Sequence, residues 1–244
     1  SPGKGGGNNT AQLEVLNPQD LTTVTLLDNA SKQTPEVWGR NIQRILPTPD
    51  GGCYLLGEDN VITGETGCTG TKGNIWVCRL NADLKPVWSR TYGGVTTDLF
   101  LDGELREGGN VVILGKTPCA SGVTGPRGIG AGGWVMELNQ LGDILTVRSL
   151  RAFDSGTGNN QVLGLALLPG CPDALLLTGV ETVSNNRIQG YVTKVRLDER
   201  PDVPRTGTGF WTINFVPSAG DPAFRAENVA VLPATGRIFV WGTV

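Results

Sequence analysis

The chain contains no histidine and a single methionine, and it has no run of about 18 apolar residues. The absence of histidine excludes Ser-His-Asp catalysis, histidine general bases and most zinc and copper sites. The absence of a long apolar run predicts no membrane span. The net charge of −3 argues against a nucleic-acid binder, which usually carries a concentrated basic surface.

Glycine, in contrast, is abundant, with 36 residues in a chain of 244. This content is too high for a mostly helical protein, and no segment carries a capped apolar stripe with a 3.6-residue period. All-β chains of this length often form one domain. We therefore predict a single all-β domain over residues 11–244, preceded by a flexible polar tether at residues 1–10.

One sequence pattern occurs four times, and each copy ends in a glycine after a β-rich apolar run. The closing glycines lie 58, 64 and 63 residues apart and are Gly57, Gly115, Gly179 and Gly242. Turn-forming residues such as Pro49-Asp50-Gly51-Gly52 divide the copies. Each copy therefore predicts a β-hairpin.

A second pattern alternates with the first and consists of an alternating strand, a polar turn and another strand. Its leucines lie 64, 58 and 59 residues apart and are Leu16, Leu80, Leu138 and Leu197. The two patterns share nearly one period of about 60 residues. Two hairpins per period give a four-stranded meander, which is the content of a propeller blade.

The order of the hairpins predicts how such a ring closes. The chain begins with a second-pattern hairpin and ends with a first-pattern hairpin, so each end supplies half a blade. Pairing of residues 238–241 with residues 12–16 would cover both open strand edges, within one chain or by exchange between chains. We therefore predict a four-bladed β-propeller of four-stranded antiparallel blades, closed by its N- and C-terminal half-blades. A β-sandwich with fortuitous spacing is the alternative, and a solenoid fits less well because it needs capping ends.

Long polar connections are expected on one face of this ring, at residues 58–74, 116–133 and 180–190. Loops of this length usually carry function. The polar candidates for ligand binding in them are Asp59, Asn60, Glu65, Lys72, Arg127, Asn185, Asn186 and Arg187. Alternatively, these loops pack against one another as a lid.

The five cysteines suggest one disulfide and leave a second one open. Cys68 and Cys119 lie at corresponding points in the long loops of adjacent blades, and this predicts a bond between them. Cys53 and Cys78 would face each other on neighbouring strands if Gly57 lay opposite Asn74, so they form either a second bond or two buried thiols. Cys171 is left over in a hairpin turn.

Catalytic, metal and cofactor sites are not predicted. The inner-strand acids Asp102, Glu104 and Glu107 belong to one blade, whereas a propeller glycosidase places two carboxylates across a central channel. No spacing matches a known calcium loop. We therefore expect a protein that is not an enzyme.

A resemblance to a known family rests on one repeat motif. The motif consists of the Asp50-Gly51-Gly52 turn, Gly57, Trp76-Val77-x-x-Leu80-Asn81 and Tyr92-Gly93-Gly94. It resembles the repeat of secreted bacterial surface β-propellers of the quinoprotein-like superfamily, and only the blade at residues 41–94 carries it in full. The larger quinoprotein rings have dedicated cofactor ligands that are not seen in this sequence. The resemblance therefore implies an exported binding or assembly protein without a cofactor.

These patterns together suggest a noncatalytic accessory or scaffold subunit. We expect it to bind a partner protein, as in an outer-membrane complex, at the extracellular or outer-membrane surface of a bacterium. A carbohydrate-binding module that uses the long-loop face is the alternative. The polar start of the chain resembles the stretch that follows the lipidated cysteine of surface lipoproteins, which suggests a lipid anchor N-terminal to Ser1. An ordinary frayed end or a cloning remnant would look the same.

Overall fold

The computed structural model describes residues 13–16, 23–27, 40–59, 74–93, 97–117, 132–150, 160–171, 173–183, 187–197, 212–215 and 224–244. The regular elements in these ranges are all β-strands, in three four-stranded and two two-stranded antiparallel sheets. The predicted all-β class and the four-stranded antiparallel sheets are therefore confirmed. These ranges hold no helix long and apolar enough to cross a membrane.

Every sheet is built from consecutive strands. In chain order the strands are β1 (Leu13–Leu16), β2 (Thr23–Leu27), β3 (Arg40–Pro47), β4 (Cys53–Asp59), β5 (Asn74–Leu80), β6 (Pro86–Tyr92), β7 (Leu99–Leu105), β8 (Val111–Thr117), β9 (Gly132–Leu138), β10 (Ile144–Ser149), β11 (Asn160–Leu167), β12 (Ala174–Val183), β13 (Arg187–Arg196), β14 (Thr212–Phe215), β15 (Arg225–Leu232) and β16 (Arg237–Thr243). Strands β3–β6, β7–β10 and β11–β14 form the first, second and third sheets. Strands β1–β2 form the N-terminal hairpin, and β15–β16 form the C-terminal hairpin.

The same irregularity recurs in the first strand of all three sheets and of the C-terminal hairpin. In the first sheet, Ile42 lies opposite Gly57 and Arg44 opposite Leu56, so one residue of β3 is extra. The corresponding shift occurs beside Gly115, Gly179 and Gly242. A β-bulge of this kind increases the local twist of the strand, and such bulges are features of a fold rather than defects. The four glycine-terminated repeats are therefore structurally equivalent.

Successive sheets pack face to face. Tyr54 and Leu56 of the first sheet share a buried cluster with Trp134 and Met136 of the second. Further buried clusters join the second sheet to the third and the third to the C-terminal hairpin. The first strands β3, β7, β11 and β15 lie next to one another in that order. Each sheet thus buries apolar side chains against its neighbour, which is the main source of stability in such a stack.

Polar contacts fix the first sheet against the second. The Tyr54 hydroxyl donates to the carbonyl oxygen of Gly109 at 3.1 Å, and the indole N–H of Trp88 donates to that of Gln140 at 2.8 Å. The buried Tyr92 hydroxyl donates to the carbonyl of Gly142 at 2.7 Å. Burial raises the pKa of Tyr92 to about 12, so this hydroxyl keeps its proton. The aromatic side chains therefore both fill the interface and set its position.

The two hairpins at the ends of the chain form separate sheets in the described residues. There β1 pairs only with β2, and β16 pairs only with β15. Phe239 and Trp241, on the face of β16 that points away from the third sheet, are 53% and 51% exposed. The C-terminal hairpin thus has one packed face and one open apolar face.

The register between β4 and β5 differs from the prediction by two residues. Gly57 lies opposite Trp76 rather than Asn74, and consequently Cys53 faces Leu80 and Cys78 faces Leu55. The structure keeps both cysteines as buried thiols. Of the two alternatives for Cys53 and Cys78, the structure therefore has the pair of buried thiols, because residues offset by two across a strand pair are about 7–8 Å apart and too far for a disulfide.

Candidate functional site

Two of the eight polar residues that the sequence suggested for ligand binding lie in the described part of the chain. Asp59 ends β4 opposite Asn74, and the Thr91 hydroxyl donates to its Oδ2 at 3.4 Å. Arg187 begins β13 opposite Val183. The remaining candidates lie outside the described residues, and they are Asn60, Glu65, Lys72, Arg127, Asn185 and Asn186. Cys68 and Cys119 lie outside them as well.

One of the three connections expected to be long is short. Strand β12 continues to Val183 and β13 begins at Arg187, so only residues 184–186 separate them. β-Branched residues favour this extended pairing, and the Gln189 amide donates to the Glu181 carboxylate at 2.6 Å across it. The prediction of a long loop at residues 180–190 is therefore wrong.

A cleft of about 780 Å³ lies on the opposite face, where the short turns are. It is lined by residues 104–107 with Asn110 and Glu137 of the second sheet, residues 166–171 of the third sheet, and Ala230, Val231 and Pro233 of the C-terminal hairpin. We call it the turn-side cleft. A concave site of this volume, with an apolar wall and a few convergent polar groups, is of the kind that binds ligands.

A network of ion pairs holds the wall of the cleft that the second sheet provides. Arg106 Nη1 lies 2.6 Å from Glu137 Oε2, and Arg106 Nη2 lies 3.7 Å from Asp173 Oδ1 of the third sheet. The Asn110 amide donates to Glu137 Oε1 at 2.9 Å. Because Arg106 and Glu137 are mostly buried, their hydrogen bonds are charge-assisted and fix the turn that carries them.

A second cluster of charged residues connects the first strands of the three four-stranded sheets. Asp102 of β7 accepts the backbone N–H of Gly103 at 2.8 Å and that of Leu165 on β11 at 3.1 Å. Arg44 of β3 lies 3.6 Å from Asp102 Oδ1 and donates to Glu104 Oε1 at 2.9 Å. The strands β3, β7 and β11 are thus joined through these carboxylates as well as through apolar packing.

Burial raises the pKa of both Asp102 and Glu104, because a carboxylate loses hydration there. For Asp102 the backbone N–H of Leu165 and the Arg44 guanidinium oppose this effect. Asp102 and Glu104 lie on one strand of one sheet, as predicted, whereas Glu107 lies in the turn after β7. What these two carboxylates do in the structure is bind Arg44 and backbone amides of neighbouring strands.

Cys171 stands at the rim of the turn-side cleft, in the turn between β11 and β12. It is an exposed free thiol, and its place in a hairpin turn agrees with the prediction. It is the one described cysteine that solvent reaches, since Cys53 and Cys78 are buried.

The sequence analysis missed Arg44, Arg106 and Glu137, although a signal for Glu137 was present. Glu137 precedes Leu138 as Arg79 precedes Leu80, so both occupy the same strand position.

In the first sheet the charges are reversed. Arg79 Nη2 lies 2.5 Å from Asp50 Oδ2 in the turn after β3. Hydrogen bonds from Thr48 and Arg79 lower the pKa of Asp50 to about 2. In both sheets, the charged residue just before the last leucine of the third strand thus pairs with a residue of opposite charge in the turn between the first and second strands.

Comparison of the chain with protein-family models and with curated proteins finds no match. The function is therefore argued from the repeats and from the turn-side cleft.

Proposed function

We propose that the chain is a four-bladed propeller in which the N-terminal hairpin completes the sheet begun by β15 and β16. The support comes from equivalent positions. Phe239 and Trp241 stand three and one residues before Gly242, as Tyr54 and Leu56 stand before Gly57. Tyr54 and Leu56 are buried against the second sheet. In each of the first three sheets, side chains at these positions pack against the sheet that follows.

The first sheet carries the matching surface. Leu55, Trp76 and Cys78 correspond to Ile113, Trp134 and Met136, which receive the first sheet in the second. Each of these three residues lies 58 positions before its counterpart. In a closed ring, the first sheet follows the C-terminal hairpin, and this surface would lie next to Phe239 and Trp241. Closure would also pair the open edge of β16 with β1, and a paired edge cannot serve as a template for aggregation.

On this scaffold we propose a noncatalytic accessory or scaffold protein of a bacterial cell surface, which binds a partner protein. The observation that carries this function is the turn-side cleft, to which three successive sheets contribute. Its buried charged groups are engaged in ion pairs and backbone hydrogen bonds that shape the wall. Cell-surface location and any outer-membrane complex follow from the resemblance of the repeats and belong to the same proposal.

A carbohydrate is the second candidate ligand, and the exposed Trp241 favours it. A flat aromatic side chain offers a stacking surface for a sugar ring. If the ring stays open, Trp241 is accessible for such binding. If the ring closes, Trp241 is covered and this candidate loses its support.

The partner can be identified by site-specific crosslinking on the native cell surface. A photoreactive residue replaces the exposed Pro169 at the cleft, and a matched control replaces Val87 on β6, far from the cleft and also exposed. We expect one dominant crosslinked protein from position 169 and none from position 87. Equal crosslinking from both positions, or binding on a glycan array that Trp241→Ala abolishes, would contradict a protein partner at the cleft.

A further inference from the structure

The turn-side cleft combines an acidic wall with an apolar wall. We propose that it binds a cationic segment of the partner, in which a lysine or arginine is flanked by apolar residues. This inference rests on the proposed binding function and specifies the chemistry of the segment that enters the cleft.

Among the described residues that line the cleft, the carboxylates of Glu104, Glu107 and Glu137 outnumber the one guanidinium group, that of Arg106. Asp173 pairs with Arg106, and Arg44 pairs with Glu104 and Asp102. Both arginines are already committed, Arg44 to Asp102 and Glu104, and Arg106 to Glu137 and Asp173. The wall therefore carries excess negative charge, and an acidic cleft with low-dielectric walls concentrates cations.

Glu107 is the carboxylate best placed to meet an incoming cation. It is exposed at the tip of the turn after β7 and forms no ion pair with any described residue. Glu104 lies three residues earlier, on β7, and is partly buried beside Arg44. A cationic side chain entering between Glu104 and Glu107 would gain an opposite charge without displacing either arginine.

The facing wall explains the apolar flanks of the segment. The third sheet and the C-terminal hairpin contribute Ala166, Leu168, Pro169, Val231 and Pro233 to the lining. Such a wall offers an anion no compensating donor, whereas it buries apolar side chains favourably. A volume of about 780 Å³ accommodates a few side chains.

Cys171 provides a direct probe of this charge preference. Cystamine, which is cationic, and 3,3′-dithiodipropionic acid, which is anionic, each form a mixed disulfide with an accessible thiol by exchange. Peptide mass spectrometry measures the rate at which each reagent modifies Cys171. The ratio of the cystamine rate to the dithiodipropionate rate in the protein is then compared with the same ratio in a synthetic peptide of residues 167–175. We expect the ratio to be at least about fivefold higher in the protein, and we expect salt to lower it.

Glu107→Gln should bring the ratio at Cys171 towards that of the peptide, and Glu104→Gln with Glu107→Gln should bring it closer still. The matched control is Glu181→Gln, which removes a carboxylate near the end of β12 that is remote from Cys171 and should leave the ratio unchanged. Thermal unfolding of each variant confirms that it folds. A ratio equal to that of the peptide in the wild-type protein would overturn the proposal.

Binding is tested with three fluorescein-labelled peptides, Ala-Leu-Lys-Leu-Ala and its counterparts with Gln or Glu in the centre. Fluorescence anisotropy should show the lysine peptide bound at least about tenfold more tightly than the glutamate peptide, and Glu107→Gln should weaken it. Equal affinities, or no binding of the lysine peptide up to about 1 mM, would overturn the inference. A partner crosslinked from position 169 through a neutral or acidic segment would leave the proposed function standing while this inference fails.

Discussion

Gly115 lies directly opposite Trp134 on the neighbouring strand, and a Cβ atom on Gly115 would clash with two carbons of the indole ring. Trp134 is fully buried, and its Nε1 donates to the Thr117 hydroxyl at 3.1 Å. Gly179 faces Tyr191, which a Cβ atom on Gly179 would also crowd. Gly57 faces Trp76, but a Cβ atom there would first meet the backbone of Asn41. Gly115 and Gly179 thus leave room for an aromatic side chain of the next strand.

Replacement of Gly115 should therefore destabilise the protein. We expect Gly115→Ala to reduce the free energy of unfolding by about 1–3 kcal/mol, because the indole ring has no free space to move into. The measurement is urea denaturation, with a lower midpoint and an unchanged slope. As the control, Gly170→Asn places a side chain in open space at a φ of 73°, where Asn is tolerated. Equal loss of stability in both variants would show that crowding by Trp134 is not the cause.

The register illustrates what the sequence predicts well and what it leaves open. The glycine landmarks and turn residues predicted four equivalent hairpins and their order, and both are confirmed. The pairing of Gly57 was wrong by two residues because side chains alternate with a period of two. A slip of two keeps every apolar residue on the same face, so the hydrophobic pattern cannot detect it.

The turn after β5 and the turn after β9 share one conformation with different residues. Leu84 has a φ of 57° where the equivalent Gly142 has a φ of 80°. A left-handed backbone costs a non-glycine residue about 1–2 kcal/mol, and Leu84 is retained there because its side chain is buried with Leu80 and Trp76.

Because backbone strain and side-chain burial oppose each other at Leu84, the stabilities of its variants should follow an unusual order. Leu84→Ala should lose about 2–3 kcal/mol of unfolding free energy, since it removes the buried side chain but keeps the strained backbone. Leu84→Gly removes both and should be about 1 kcal/mol more stable than the alanine variant. Chemical denaturation of the two variants side by side tests this. An alanine variant more stable than the glycine variant would mean that the backbone strain is absent in solution.

Glu58 should make stability fall as the pH rises. Burial raises the pKa of its carboxyl above the ordinary 4.5, although the backbone N–H of Phe100 and the Gln43 side chain oppose this. The folded state therefore holds the proton more tightly than the unfolded state, and stability decreases as the pH rises from the ordinary value through the raised one. Glu58→Gln keeps an acceptor for the Phe100 N–H, which lies 2.9 Å from Oε1, and cannot ionise.

Glu58→Gln should thus gain unfolding free energy relative to wild type as the pH rises above the ordinary pKa of 4.5. Asp143→Asn is the control of opposite sign. Hydrogen bonds from Arg90 and Asn139 lower the pKa of Asp143, so its contribution is present at higher pH and is lost on acidification. A parallel pH dependence for both variants would contradict the assignment to Glu58.

Cys68 and Cys119 remain a predicted disulfide, since both lie outside the described residues. Peptide mapping of a nonreduced digest should find the fragments that contain them joined. Cys171 should be alkylated in the folded protein, because it is exposed, and Cys53 and Cys78 only after unfolding. Alkylation of both Cys68 and Cys119 in the folded protein would show that the bond is absent.

The turn-side cleft shows why the candidate site was harder to predict than the fold. Glu104, Leu168 and Val231 line it together, although more than 60 residues separate each from the next. A repeat pattern predicts each sheet by itself, but the cleft depends on how three sheets are rotated against one another. The composition of the sequence directed the prediction to long loops, whereas the cleft is formed by short turns of ordinary composition.

Closure of the ring gives the last prediction, and the observed registers make it specific. Leu55 faces Cys78 and Ile113 faces Met136, in each case two residues before the closing glycine. By the same rule, Val240 should face Glu14 once β16 pairs with β1. Facing residues of antiparallel strands are about 4.5–5.5 Å apart at Cα, which suits a disulfide. The double variant Val240→Cys with Glu14→Cys should therefore form this bond on mild oxidation.

The offset control is Val240→Cys with Leu16→Cys, because a diagonal pair about 7–8 Å apart is too distant for the bond. Mass spectrometry of peptides from the oxidised protein identifies the link, and light scattering gives the mass of the product. A crosslinked monomer near 25.7 kDa indicates closure within one chain, whereas a crosslinked dimer or filament indicates that hairpins are exchanged between chains. If residues 14 and 240 stay alkylatable in a folded monomer, the two hairpins do not pair, and Trp241 remains accessible for a ligand.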